Sequence, residues 1–227
     1  MTSLFEGIAG ALLSILFPER CAACGKAGRS VCPLCKSKIH VHTPVEIRAC
    51  RGADAVFVCG HYDGVLKKLI RSLKFGRKRL VARHIGEFMA DVLSGIEALR
   101  RFDAIVPIPV HRSRLAERGF NQSELIAGPI AERYGIPVLT VLMERTRNTR
   151  FMYNLGADQR RANVKGAFRA SEKAKGKRII LVDDVYTTGS TMSEAAVSLK
   201  RRGAVEVAGI AAACAETSIH PTKRGKK

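Results

Sequence analysis

The residues best able to do chemistry lie in one stretch, Ile179-Ile180-Leu181-Val182-Asp183-Asp184-Val185-Tyr186-Thr187-Thr188-Gly189-Ser190-Thr191. Four apolar residues bring two adjacent carboxylates to the end of a buried strand. In open parallel sheets, ligands bind outside such carboxyl ends. The turn that follows gathers the hydroxyls of Thr187, Thr188, Ser190 and Thr191 around Gly189 and opens a helix. Backbone N–H groups at a helix start lack intrahelical acceptors and bind phosphate. Gly189 lets the backbone approach closely or take a positive φ. Asp183 and Asp184 can accept hydrogen bonds from a vicinal diol. A phosphate cradle beside a diol acceptor describes a ribose 5-phosphate. The plainer reading makes Ser190 an N-cap and the acid pair a solvated strand end. It accounts for each part alone and not for their order. A nucleotide P-loop is disfavoured, since no GxxxxGK[ST] occurs in the chain.

A second strand end, Pro107-Ile108-Pro109-Val110-His111-Arg112, leads to Arg118-Gly119-Phe120-Asn121-Gln122 at the next helix start. Arg112, Arg114 and Arg118 could clamp a pyrophosphate, because guanidinium groups bind such oxygens bidentately. A basic surface turn is the alternative. His111, a lone histidine, reads as structural. The run from Arg145 through Arg160, Arg161 and Lys165 to Phe168 reads as a basic lid or as a disordered basic loop.

Cys21-Ala22-Ala23-Cys24 and Cys32-Pro33-Leu34-Cys35 are two CxxC pairs with seven residues between them. Two thiolates on each of two tight turns supply the four soft ligands of tetrahedral zinc. Gly25 permits the knuckle turn. The competing reading is a redox dithiol, which begins a βαβ unit in thioredoxin-like proteins, and no such pattern occurs here. The spacing predicts structural Zn²⁺ on Cys21, Cys24, Cys32 and Cys35. Cys59 and Cys214 fall in apolar runs and read as inert core thiols.

These groups need a scaffold. Ala55–His61 reads as a strand, Asp63–Leu73 as a helix, and Ile85, Met89, Val92 and Ile96 mark a second helix. Ala104–Val110 is a strand ended by its prolines. Gln122–Tyr134 is a helix that Gly128-Pro129 should kink or shorten. Val138–Met143 reads as a strand and Thr146–Asn163 as a long loop. Ile179–Val182 is a strand, Ser190–Arg202 a helix capped by Gly203, and Val205–Ala213 the closing strand. Alternating strands and helices imply an α/β fold with a parallel sheet and helices on both faces. A composition break near residue 50 divides the chain into an N-terminal helix and knuckle module (1–50), an α/β domain (51–216) and a basic tail (217–227). Leu4–Phe17, interrupted by Glu6, is shorter than the roughly 20 residues of a membrane span, and it lacks the basic start and cleavage site of a signal peptide. No membrane span and a cytoplasmic location are expected. Among 227 residues, 39 Lys and Arg face 20 Asp and Glu, a formal +19. Such a field favours polyanions, phosphorylated small molecules and nucleic acid included.

The Asp183–Thr191 stretch resembles the phosphoribosyl pyrophosphate motif of type I phosphoribosyltransferases, with Tyr186 where an aliphatic residue is more usual. Leu16-Phe17-Pro18 before the knuckle, Pro107 to Gln122, Arg160 to Phe168, and Val182 to Thr191 together resemble the ComF family, over nearly the whole length. One departure is Met152, where such proteins often carry a lid Gln. The resemblance implies a phosphoribosyl pyrophosphate site, with Asp183, Asp184, Thr187, Thr188, Gly189, Ser190 and Thr191 on the ribose 5-phosphate and Arg112 and Arg118 on the pyrophosphate. It also implies Mg²⁺ bridging the pyrophosphate and a link to competence and DNA uptake. Two functions stand open: a phosphoribosyltransferase with an unidentified acceptor, or a non-catalytic competence factor that keeps the ligand loop and serves a protein partner or single-stranded DNA. A sequence-specific regulator is disfavoured, since no helix-turn-helix stands out. No general base can be named.

Overall fold

The computed structural model describes residues 19–215 apart from 44, 48–49, 77 and 150–156. The apolar segment Leu4–Phe17, Leu16-Phe17-Pro18, Met152 and the basic tail lie outside the described residues.

The described residues open with the knuckle turns and a one-turn helix, α1 (Pro33–Lys36), followed by β1 (Glu46–Ile47), β2 (Ala55–His61), α2 (Gly64–Phe75) and α3 (Leu80–Val92). Then come β3 (Ala104–Pro107), α4 (Arg112–Arg118), α5 (Gln122–Tyr134) and a two-strand ribbon, β4 (Met143–Arg145) with β5 (Phe168–Ala170). Between the ribbon strands lies α6 (Ala157–Val164). β6 (Arg178–Tyr186), α7 (Ser190–Arg201) and β7 (Glu206–Cys214) complete the chain. The main sheet has the order β1-β2-β7-β6-β3, parallel except for β1.

Strand side chains alternate between two apolar layers, as the two-residue period requires. Ile180 and Val182 face a layer with Leu66, Leu69, Ile70, Ile85, Met89, Ile126 and Ile130 of α2, α3 and α5. Ile179 and Leu181 face the other layer with Met192, Ala195, Ala196 and Leu199 of α7 and with Phe168 and Ala170 of β5. The expected α/β sheet with helices on both faces is therefore the fold. Cys21, Val31, Cys35 and Ile39 of the knuckle pack into the first layer.

Four local expectations need correction. Val138–Met143 is not a strand. Only Val138 bridges to Ile105, a short 3₁₀ turn follows at Thr140–Leu142, and Met143 begins the separate ribbon. That apolar run divides its side chains, with Val141 69% exposed and Leu142 buried, so no single sheet face claims it. The helix expected to include Ile96 stops at Val92, and Ser94-Gly95 turns the chain. Pro129 neither breaks nor shortens α5. Its ring packs against α3 at Gly86, where a Cβ would come within 2.8 Å of Pro129 Cγ. That interhelical packing offsets the bond that proline denies to the carbonyl one turn before it. Thr146–Asn163 is not all loop, for it contains most of α6.

Candidate phosphate and ribose site

The loop after β6 turns as its composition predicts. Gly189 has φ +70° and precedes α7 as its N-cap. Ser190 is buried, and its hydroxyl lies 2.6 Å from Thr188 Oγ1. Asp183, Val185, Thr187, Gly189, Ser190 and Thr191 enclose a small hollow between strand end and helix start. Tyr186 covers the loop: a Cβ on Gly189 would sit 2.7 Å from Tyr186 Cζ. Gly189→Ala is therefore expected to suffer twice. The left-handed backbone costs about 1–2 kcal/mol, and the tyrosine ring must move. The measurable outcome is a lower melting temperature together with roughly tenfold or more weaker ribose 5-phosphate binding by calorimetry. Unchanged binding would show that the loop's shape does not matter to the ligand.

The acid pair is asymmetric. Asp184 is buried, and Lys74 at the end of α2 places Nζ 2.9 Å from Oδ1 and 2.8 Å from Oδ2. Asp183 keeps some solvent exposure, but its carboxyl is enclosed. Its Oδ1 accepts from Asp184 N at 2.9 Å and from Ser123 Oγ at 3.3 Å. Burial, then the adjacent Asp184 charge, push the Asp183 carboxyl up to about 7, against the opposing pull of Lys74.

The Arg118-Gly119-Phe120-Asn121-Gln122-Ser123 segment builds the wall opposite. Gly119 ends α4 with φ +78°. Asn121 caps α5 by accepting from Ser123 N at 3.1 Å and donates to Ile108 O at 3.2 Å, tying the proline-rich strand exit to the helix that carries Ser123. Arg118 turns back to Gln122 Oε1 at 3.1 Å and stacks over Phe75. Arg112 is exposed on the rim of a cleft of about 490 Å³ that also contains Pro107, Pro109 and Arg145. Among the described residues, neither Arg112 nor Arg118 makes a hydrogen bond or ion pair with the acid pair. His111 caps α4, accepting from Ser113 N at 3.2 Å, and so is structural in this position.

Arg114 and Arg145 converge instead. Arg114 Nη2 donates to Thr149 O at 2.9 Å, and Arg145 Nη2 donates to Thr149 Oγ1. Burial, then the Arg118 charge, hold the Arg114 guanidinium below its usual range. Burial, then Arg114, bring that of Arg145 down to about 10, with Asp183 as the opposing charge. The buried Arg145 Nε lacks a hydrogen-bond partner among the described residues. Two half-buried guanidinium groups that repel each other describe a place for an anion.

Sequence reasoning missed Lys74 and Ser123 and counted Arg145 only as part of a basic run. Lys74 lies 110 residues from Asp184, and nothing local marks it among its seven basic neighbours from Lys67 to Arg83. For Arg145 the available signal was its place at the end of a short strand.

The basic segment has pinned ends. Thr146 N donates to Ala167 O at 2.9 Å, Arg147 donates to Lys165 O, and Gly166 N donates to Glu194 Oε1 of α7 at 2.7 Å.

In the knuckle, the four Sγ atoms lie within 4.8 Å of one another. A tetrahedral ion with bonds of about 2.3 Å sets its sulfurs roughly 3.8 Å apart, and Cys24 Sγ and Cys32 Sγ stand at 3.7 Å. Gly25 N bonds to Cys21 O at 2.8 Å, and Cys35 N to Cys32 O at 3.0 Å, closing the two turns. Burial raises the Cys21 thiol, but backbone N–H groups led by Cys32 outweigh it and bring it down to about 6. The cluster can hold a metal ion. Burial pushes the Cys59 thiol far up, which keeps that residue inert. No helix among the described residues is long and apolar enough to cross a membrane.

A parallel sheet with an acid pair and a hydroxyl-rich turn at one strand end is the architecture of the phosphoribosyltransferases, and the phosphoribosyl transferase domain family matches residues 121–226. The chain is 33% identical to the DNA utilization protein YhgH of Escherichia coli K12, covering 82% of this chain and 86% of that protein. It is 30% identical to competence protein F of Haemophilus influenzae, covering 68% of this chain and 70% of that protein. It belongs to their family, the ComF family. A glutamine phosphoribosylpyrophosphate amidotransferase from B. subtilis superposes with a TM-score of 0.39 and 22% identity, over 60% of this chain and 26% of that enzyme.

Proposed function

We propose that this protein binds phosphoribosyl pyrophosphate, with the 5-phosphate in the loop Thr187–Thr191 and the ribose diol on Asp183 and Asp184. The observation that carries this is the enclosed acid pair, half-neutralised by Lys74, directly beside the Gly189 turn. Arg114 and Arg145, with Arg112 on the rim, suit the pyrophosphate. Arg118, which the sequence pairs with Arg112 for the pyrophosphate, lies nearby against Gln122 and Phe75. The hard oxygen donors of the acid pair fit Mg²⁺. When bound, that ion would neutralise pyrophosphate oxygens. The soft thiolates of Cys21, Cys24, Cys32 and Cys35 fit Zn²⁺ in a structural role.

If the protein is a transferase, a nucleophile forms a bond to the ribose anomeric carbon as the bond to pyrophosphate breaks. The arginines receive the leaving charge, and the carboxylates offset the positive charge that develops on the sugar. The names its relatives carry support a role in DNA utilization or competence, which we place in the cytoplasm. We take residues 1–50 as the metal module, 51–216 as the phosphoribosyltransferase-like domain and 217–227 as a tail. The second reading is a competence factor that uses the loop only to bind, with single-stranded DNA or a protein as partner, and the +19 charge supports it.

The test is calorimetry with phosphoribosyl pyrophosphate and Mg²⁺. Micromolar binding, competed by ribose 5-phosphate, is expected, and absence of heat from a folded sample would sink the ligand assignment. Arg145→Leu should weaken phosphoribosyl pyrophosphate by roughly tenfold to a hundredfold while changing ribose 5-phosphate little, since one charged hydrogen-bonding contact contributes about 1.5–3 kcal/mol. Equal losses for both ligands would take Arg145 away from the pyrophosphate.

A further inference from the structure

On the outer side of α7 lies a second cleft, of about 840 Å³, that meets the ribose-phosphate loop at Tyr186, Thr188 and Ser190 and extends away from it. Its walls are α7 from Ser190 to Arg201, the end of α6 with Gly166, and the Cys50-Arg51 segment. Arg51, Arg161, Lys165 and Arg201 line it against one carboxylate, Glu194, whose Oε1 is occupied by Gly166 N. Among the described residues Arg51, Lys165 and Arg201 make no ion pair. Exposed arginines elsewhere do find carboxylates, as in Arg100–Glu97, Arg133–Asp91 and Arg202–Glu172. The floor is apolar, with Val164, Val197 and the half-buried Tyr186.

The cleft is bounded. At one end stand Thr188 and Ser190 of the loop. Towards the other, the Gly166–Glu194 bond ties the turn after α6 to α7, and a neighbouring cleft of about 470 Å³ that shares Gly166, Glu194 and Arg201 opens beyond it. A nucleic-acid strand needs a continuous groove, whereas a cavity in the range of roughly 300–1,000 Å³ suits a small molecule. Cations above an apolar floor call for several phosphates attached to a flat ring. We propose that this cleft is a second ligand site, adjoining the ribose-phosphate loop at Thr188 and Ser190, that takes a nucleoside di- or triphosphate. Its ligand touches both the root of the 145–168 segment and the helix that begins at the loop. Occupancy is therefore coupled to ribose-phosphate affinity, and the coupling is reciprocal.

The experiment titrates ATP, ADP and inorganic triphosphate into the full chain, into Arg51→Glu/Arg201→Glu, into Val197→Phe and into Asp183→Asn/Asp184→Asn. ATP affinity should fall by about tenfold or more in the arginine variant, where two attractive contacts become repulsive. It should fall similarly in Val197→Phe, which fills the floor and changes no charge. The acid-pair variant should bind ATP as the wild type does, and triphosphate should bind more weakly than ATP. Ribose 5-phosphate binding in the arginine variant serves as the control for an intact loop. The proposal is overturned if wild type binds no ATP, or if ATP binding vanishes with the acid pair and ignores the arginines. It is equally overturned if the arginines matter only to a thymidine oligonucleotide.

Discussion

Replacing Asp183 and Asp184 together by Asn is expected to lower phosphoribosyl pyrophosphate affinity by roughly a hundredfold to a thousandfold, since two hydrogen bonds to charged acceptors contribute about 1.5–3 kcal/mol each. The fold should survive and, above neutral pH, gain stability. The sign follows from the raised Asp183 carboxyl, at about 7 in the folded protein against about 3.9 in an unfolded chain. Between these values the folded state holds more protons than the unfolded one, so stability falls as pH rises through that window. Above pH 7 both states are ionised and the whole penalty remains. Asn removes it, and because Asp183 retains some contact with water the gain should be modest, on the order of 1–2 kcal/mol. Lys74 would lose its partner in the double variant and give part of this back, so Asp183→Asn alone should show the larger gain. Thermal melts between pH 5 and 8, run beside the calorimetry, read both effects. A variant that loses binding and loses stability equally at every pH would make the pair structural and the ligand assignment wrong. Ligand should also bind more tightly as pH rises from 6 to 8, with proton release, because a diol donates best to two ionised carboxylates.

What the sequence conveys about this site is what lies close together along the chain. Ile179–Val182 reads as a buried strand because four apolar residues in a row have few other uses at that length. Asp183 to Thr191 reads as a ligand loop because every participating group is local. Gly203 marks the end of α7 for the same reason, with φ +82° just after the last turn. The groups that tune the site come from afar. Lys74 reaches Asp184 from α2, Ser123 reaches Asp183 from α5, and Arg145 arrives on a ribbon strand outside the main sheet. Their charges are visible in the sequence, but nothing local distinguishes Lys74 from Lys67, Lys68 or Lys78. The arginines show the same limit. Arg112, Arg114 and Arg118 share one short helix, and the helix pitch decides which of them turns inward to Thr149 and which turns back to Phe75. The misread segments fail through tertiary competition. Val138–Met143 has strand composition, but only its first residue meets β3, and the rest serves to lift the chain out of the sheet towards the ribbon over the site.

Removing the knuckle metal is expected to destabilise far more than the four residues themselves. Cys21, Cys35, Val31 and Ile39 pack into the same apolar layer as Ile85, Phe88 and Met89 of α3, so the knuckle is part of the core. His84 of α3 meets Ser30 at 3.1 Å across the same contact. Among the described residues of the segment, the helix is one turn long and offers little other means of holding its shape. In such modules the free energy of metal binding is the free energy of folding, on the order of 10 kcal/mol for isolated zinc peptides at pH 7. Here the shared core carries part of that load, and a loss of several kcal/mol is the expected scale. Cys35→Ser, which removes a buried ligand, should lower the melting temperature by ten degrees or more, at about 2–4 °C per kcal/mol for a domain of this size. Cys24→Ser removes an exposed ligand and should do less, leaving a three-sulfur site that binds metal weakly. Chelation of the wild type should reproduce the Cys35→Ser melt, and adding Zn²⁺ back should restore it. Cys59→Ser, made in the strand, should be indifferent to chelator in its own right and keep the metal at one ion per chain. If chelator leaves the wild-type melt untouched while the bound metal is lost, the four thiolates are not a fold-determining site. The exposed Cys24 and its neighbour Cys32 would then be the place to look for redox chemistry instead.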